Sequence, residues 1–187
     1  MANAVMAVQA MGMNATNFKL YHHKKGTNLV SRLYRTSISK QTASSQAETL
    51  IAVSMSSRFK RPSGAKFSKA SLSARLVKSQ LKNNGWTYNN AQGAKDADVT
   101  SMVLTGLYRG KSNTSTVESS IQKGQKFLYR LAQGNGAFGY TYAGKTTPNA
   151  NSTAEAIIAL SNNSATKNTS TRPLCGQVRK PLRYMRC

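Results

Sequence analysis

Acidic residues are scarce in this chain. Glu48, Asp96, Asp98, Glu118 and Glu155 are the only carboxylate side chains, set against 27 Lys and Arg. Five acids cannot pair that many cations, so most Lys and Arg are expected to be solvated. The formal net charge of +22 attracts polyanions and opposes compaction through self-repulsion. Nucleic acid, a teichoic-acid-bearing wall and an anionic membrane all fit such a field.

Cysteine is nearly absent too. Cys175 and Cys187 both lie in the last thirteen residues, and two thiols make neither a disulfide framework nor a zinc site. A bond between them would close a small tail loop; free thiols fit equally well. His22 and His23 are adjacent in a basic loop with no cysteine beside them, so no zinc site is expected. No run reaches the roughly eighteen apolar residues of a membrane span. The opening "MANAVMAVQAMGM" lacks the basic region of a signal peptide. Read as complete, the chain is expected to be unexported and cytoplasmic. It holds no Gly-rich phosphate loop and no nucleophile–base pair, and no cofactor is expected.

What the chain does have is alternation. Four segments, near 3–14, 44–55, 98–108 and 151–162, open with small or polar residues and continue as Ala-rich apolar runs. A helix apolar on nearly all sides belongs inside a structure. Ser44, Asp98 and Asn151 suit its N-cap, where a side-chain oxygen accepts from a free N–H. Between these inner helices lie segments 27–35, 66–82 and 115–133. In the last, Val117, Ile121, Gly124, Leu128 and Leu131 form one stripe, with Lys123, Lys126 and Arg130 largely off it. That spacing predicts an amphipathic outer helix. From about residue 164 the pattern ends in a basic tail, expected to be disordered or poorly packed.

Two stretches match in detail. "NNGWTYNNAQGAKDADVTSMVLTGL" is answered by "GNGAFGYTYAGKTTPNANSTAEAIIAL". Trp86 pairs with Phe138, Tyr88 with Tyr140, Asp98 with Asn151, and Thr100 with Thr153. The markers Met11, Val53, Leu107 and Leu160 recur with a period of helix-pair repeats, which bury their faces on neighbouring units.

The unit, an outer helix, then Gln and Gly, an aromatic, Asp-x-Thr and an inner helix, resembles the prenyltransferase and squalene-cyclase type repeat. In "KGQKFLYRLAQGNGAFGYTY", Lys123 and Gly124 precede Phe127 and Leu128, Gln133 follows, and Gly136 precedes an aromatic, as in the family's Gln-Trp motif. Phe138 stands where tryptophan is usual. Gln80, Gly85 and Trp86 form the other copy. The resemblance covers about 66–162, and the earlier units match in their inner helices alone.

It implies an all-α fold: a partial α/α toroid of about seven alternating inner and outer helices over 1–163, followed by the irregular tail 164–187. That is fewer helices than a full toroid of the family, so a piece of a longer protein is expected. The matched residues are then read as a joint. The outer helix ends near Gln80 or Gln133, and a glycine turn lets the chain reverse. The aromatic packs over helix ends, and the Gln side chain bonds free backbone groups.

Catalytic branches of the family place different demands on the chain. Terpene cyclases use an Asp-rich motif as proton donor, but "KDADVTS" offers Asp96 and Asp98 with Val99 where another acid is wanted. Glu48 and Glu155 occupy matching positions in inner helices and are read as favourable charges in N-terminal turns. The repeat also occurs in non-catalytic bacterial surface proteins and cobalamin-carrier relatives.

The leading expectation is therefore a non-catalytic module of a bacterial surface or secreted protein that binds a partner or anionic polymer. It would lie at the cell surface as part of a longer exported protein. One alternative is a terpene-cyclase or prenyltransferase-like enzyme fragment. Another is a nonspecific nucleic-acid binder, with aromatics among cations at "KLYHHKK" and "RLYRTS" as stacking sites.

Overall fold

A computed structural model describes residues 1–19, 25–92, 94–112, 114–142 and 145–162. It contains seven helices, α1 Ala2–Ala10, α2 Leu29–Tyr34, α3 Ala43–Ser54, α4 Lys69–Lys78, α5 Ala97–Gly110, α6 Ser115–Leu131 and α7 Ala150–Ser161. All seven stand where the alternation of apolar and striped segments places them. The sequence tail, with Cys175 and Cys187, lies outside the described residues, as do His22 and His23.

The two classes of helix form two layers. α5 packs between α3 and α7, and α1 packs on α3. On the other side, α2 touches α1 and α3, α4 touches α3, α5 and α6, and α6 touches α5. The inner helices α3 and α5 run in the same direction. Gly106 stands against Ala47 and, one turn on, Gly110 stands against Leu50. A side chain at Gly106 would come within 3.2 Å of the Ala47 carbonyl oxygen, so glycine permits the close approach.

Composition explains the layering. Ten of the fourteen residues of α5 are buried, as a helix flanked on several sides requires. α6 buries Val117, Ile121, Gly124, Phe127 and Leu128, and exposes Lys123, Lys126 and Arg130 to solvent. Each fully buried Leu, Ile or Val contributes about 1.5–3 kcal/mol. The core therefore rests on α3, α5 and the inward stripes of α4 and α6. α7 departs from the expected all-round burial: Ile157 and Ile158 are 49% and 45% exposed. Among the described residues its main helix contact is with α5.

Caps sit two residues before the expected ones. Thr42, Asp96 and Asn149 cap α3, α5 and α7, each accepting from the backbone N–H three residues on. Ser44, Asp98 and Asn151 lie inside the helices instead.

One element departs from the helical pattern. Strands β1 Gly139–Tyr142 and β2 Lys145–Pro148 pair antiparallel, with Tyr140 opposite Thr147 and Thr141 opposite Thr146. The segment reads as a Gly- and Thr-rich link, but its Thr and Tyr residues favour extended backbone. No helix among the described residues is long and apolar enough to cross a membrane.

Candidate functional site

The matched stretches build one joint twice. Trp86 is fully buried. Its indole N–H donates to the Leu76 carbonyl at 2.7 Å, satisfying one of the free carbonyls of the last turn of α4. Its ring lies against Gly124, which the Leu104 side chain also approaches. Thr100 then fixes the Trp86 backbone. The Trp86 N–H donates to the Thr100 hydroxyl at 3.1 Å, and that hydroxyl donates to the Trp86 carbonyl at 3.1 Å. Phe138 and Thr153 repeat the arrangement in part: the Phe138 N–H donates to the Thr153 hydroxyl at 3.0 Å, and that hydroxyl has the Asn149 carbonyl at 2.8 Å and the Phe138 carbonyl at 3.2 Å as acceptors for its one proton. Both threonines stand four residues after their N-cap. In α3 that position is Gln46, whose side-chain amide donates back to the Gln41 carbonyl at 2.8 Å.

Gln80 completes the first joint. Its amide donates to the carbonyls of Asn84 and Ser120 at 2.9 and 3.0 Å, and the Ser120 hydroxyl donates to its oxygen at 2.8 Å. The connection is thereby fastened to α6. Gln133 is not its counterpart. The Gln133 N–H donates to the Ala137 carbonyl as the Leu81 N–H donates to the Gly85 carbonyl, so Gln133 stands at Leu81's place and Ala132 at that of Gln80. Its side-chain nitrogen is buried without a hydrogen-bond partner.

The glycines shift by one in the same way. Asn84 and Gly136 carry the left-handed backbone, with φ of 73° and 82°. Gly85 is needed for space, since a side chain there would land on the Phe127 ring.

Of the remaining matched positions, Tyr88 is 66% exposed, Asn151 is exposed, and Tyr140 lies in β1. "RLYRTS" offers no stacking platform: Tyr34 is buried and its ring stacks on Phe67 with centroids 5.0 Å apart.

Four of the five acids, all but Glu118, lie in inner helices or at the cap of one. Glu48 and Glu155 are not in the first turns of α3 and α7, which hold no acid, so the helix-end reading fails. The field of a helix terminus fades beyond its first turn. Glu155 instead feels the charges of Asp98 and Glu48. Burial raises the Glu155 pKa, and the charges of Asp98 and Glu48 raise it further. The Asp96 pKa is raised by burial, against the bond its Oδ1 accepts from the Val99 N–H at 2.9 Å; the Asp98 charge also raises it. Sequence spacing hinted at the Glu48–Glu155 match but carried no sign of their convergence on Asp98.

Two clefts border these features. One, of about 770 Å³, lies between the Thr87–Asp98 connection and the hairpin and is lined by Thr87, Tyr88, Asp96, Asp98 and Thr141 among others. The other, of about 560 Å³, lies between the end of α4 and the start of α6, with Lys82 and Lys123 beside Ser115, Thr116 and Ser119. Among the described residues no group of three His, Cys, Asp or Glu could hold a metal ion. Comparison with protein-family models, with curated proteins and with solved structures finds no match to the chain.

Proposed function

We propose that this chain is a non-catalytic helical-repeat module, an arc of an α/α toroid, from a bacterial surface or secreted protein, and that it binds an anionic polymer. The supporting observation is the placement of its cations. Among the described residues every Lys and Arg except Lys69 is exposed, while the charges of Glu48 and Asp98 act on Glu155, another acid. The outward face therefore presents positive charge with little internal neutralisation, which favours a long polyanion over a small anion. The order of inner helices α1, α3, α5, α7 and outer helices α2, α4, α6 supports the toroid arc. The cleft holding Lys82 and Lys123 is the natural seat for a phosphate of the polymer.

The test is a titration of the chain with wall teichoic acid and with duplex DNA of equal charge, across a salt series. The proposal expects tighter binding to teichoic acid at about 0.15 M salt, with affinity falling on a log–log salt plot. K82A/K123A should weaken it severalfold. Equal, sequence-independent binding to DNA would favour the nucleic-acid alternative. Absence of binding to either polymer at that salt would overturn both.

A further inference from the structure

The dipeptide Asn-Gly occurs once in each joint, as Asn84–Gly85 in the first and Asn135–Gly136 in the second. Glycine has no side chain to keep its backbone nitrogen away from the preceding asparagine side chain. Both dipeptides are therefore open to deamidation by composition alone, and the fold separates them.

Asn135 is exposed. It sits in a turn closed by the Gly136 N–H, which donates to the Gln133 carbonyl at 2.8 Å. A side chain on the neighbouring Gly134 would meet nothing within 4 Å, so the turn has room to move. The Asn135 side-chain oxygen accepts from the Ala137 N–H at 3.1 Å. Among the described residues nothing holds its amide nitrogen. Asn84 stands inside the frame instead. Its carbonyl accepts from the Gln80 amide at 2.9 Å. The Gly85 N–H donates to the Asn83 side-chain oxygen at 3.0 Å, and the Asn83 amide donates to the Ala94 carbonyl at 2.9 Å. Gly85 is buried against the Phe127 ring.

The chemistry follows from these contacts. The Gly136 nitrogen gives its proton to hydroxide and attacks the side-chain carbonyl carbon of Asn135. A new C–N bond forms, the bond to the amide nitrogen breaks, and ammonia leaves with a proton taken from water. Water then opens the cyclic imide at either of its carbonyls, giving Asp or isoaspartate. The net change is gain of water and loss of ammonia, with no oxidation or reduction. Negative charge gathers on the Asn135 side-chain oxygen during the attack, and the Ala137 N–H already points at it. One turn bond, from Gly136 to Gln133, has to open first. At Asn84 the same attack must pull Gly85 off Asn83 and shift a backbone tied to Gln80. It therefore requires local unfolding.

We propose that Asn135 is a modification site, converting spontaneously to Asp and isoaspartate in the folded protein while Asn84 is protected. The two products differ in effect. Asp keeps the oxygen that accepts from Ala137. Isoaspartate adds a methylene to the backbone two residues before Phe138, whose N–H donates to the Thr153 hydroxyl, and so loosens the second joint.

The experiment incubates the whole folded chain at mildly alkaline pH and follows each asparagine by peptide mapping with mass spectrometry. A sample in denaturant is the control, and there the two sites should convert at similar rates. In the folded chain Asn135 should convert at least about tenfold faster than Asn84, which alone depends on local opening. Q80A, checked for its fold by far-UV circular dichroism, should raise the Asn84 rate severalfold and leave that of Asn135 unchanged. Similar rates at the two sites of the folded chain, or faster conversion of Asn84, would overturn the proposal. So would an Asn135 still intact in the folded chain when the denatured control has converted.

Discussion

The Thr100 hydroxyl holds both backbone groups of Trp86, accepting from its N–H and donating to its carbonyl at 3.1 Å each. Both residues are fully buried. T100V keeps the shape and leaves two backbone groups unpaired, so a loss of about 1–3 kcal/mol is expected. T153V should cost less, because Thr153 is only half-buried. Urea unfolding of the two variants and of T100S, which keeps the hydroxyl, measures the difference. Equal stability of T100V and wild type would refute the pin.

Gln80 and Gln133 look alike in sequence and are expected to behave oppositely. Q80A removes three hydrogen bonds that tie the connection to Asn84 and Ser120, for a loss of about 1–2 kcal/mol. Q133M removes a buried amide nitrogen that has no partner, and should be neutral or stabilising. Thermal melts of the pair decide it.

Gly124 tests the packing of the joint. Alanine in a helix interior normally gains about 1 kcal/mol over glycine. At Gly124 the added carbon would come within 2.6 Å of Trp86 and 3.0 Å of Leu104. G124A should therefore destabilise by about 1–3 kcal/mol. G134A is the control, with nothing within 4 Å. A G124A variant as stable as wild type would show that Trp86 moves freely.

Glu155 predicts a pH signature. Burial, then the charges of Asp98 and Glu48, raise its pKa above the ordinary 4.5. The folded state thus binds its proton more tightly than the unfolded state. Below 4.5 both states are protonated and nothing is lost. As pH rises through the raised folded value, stability falls, and the deficit persists at neutral pH. E155Q should melt higher than wild type at pH 7 and equally at pH 3. A lower melting point for E155Q at pH 7 would show that the carboxylate has a stabilising partner.

The helices were legible because each has its own period: almost wholly apolar for α3 and α5, one stripe in three or four for α6. The caps were not. Thr42-Ala-Ser44, Asp96-Ala-Asp98 and Asn149-Ala-Asn151 each offer two capping residues two positions apart. Local chemistry cannot choose between them. The choice falls to tertiary contact, since only the earlier cap sets Thr100 and Thr153 four residues on, facing Trp86 and Phe138. The Gln133 register was lost because the motif fixes residue types and not which backbone N–H meets which carbonyl. The hairpin was hidden by its composition, and the convergence of Glu48, Glu155 and Asp98 by their distance along the chain.

The two pins bridge unequal spans. Fourteen residues separate Trp86 from Thr100, and fifteen separate Phe138 from Thr153. The first span holds irregular turns, while the second holds β1 and β2. The frame on either side is indifferent to what is inserted. Lengthening a flexible loop carries only a slowly growing entropic cost, so this connection is where sequence is free to diverge without disturbing the helices. It is also the segment that walls the acidic cleft, so new binding specificities can be tried there while the core stays unchanged.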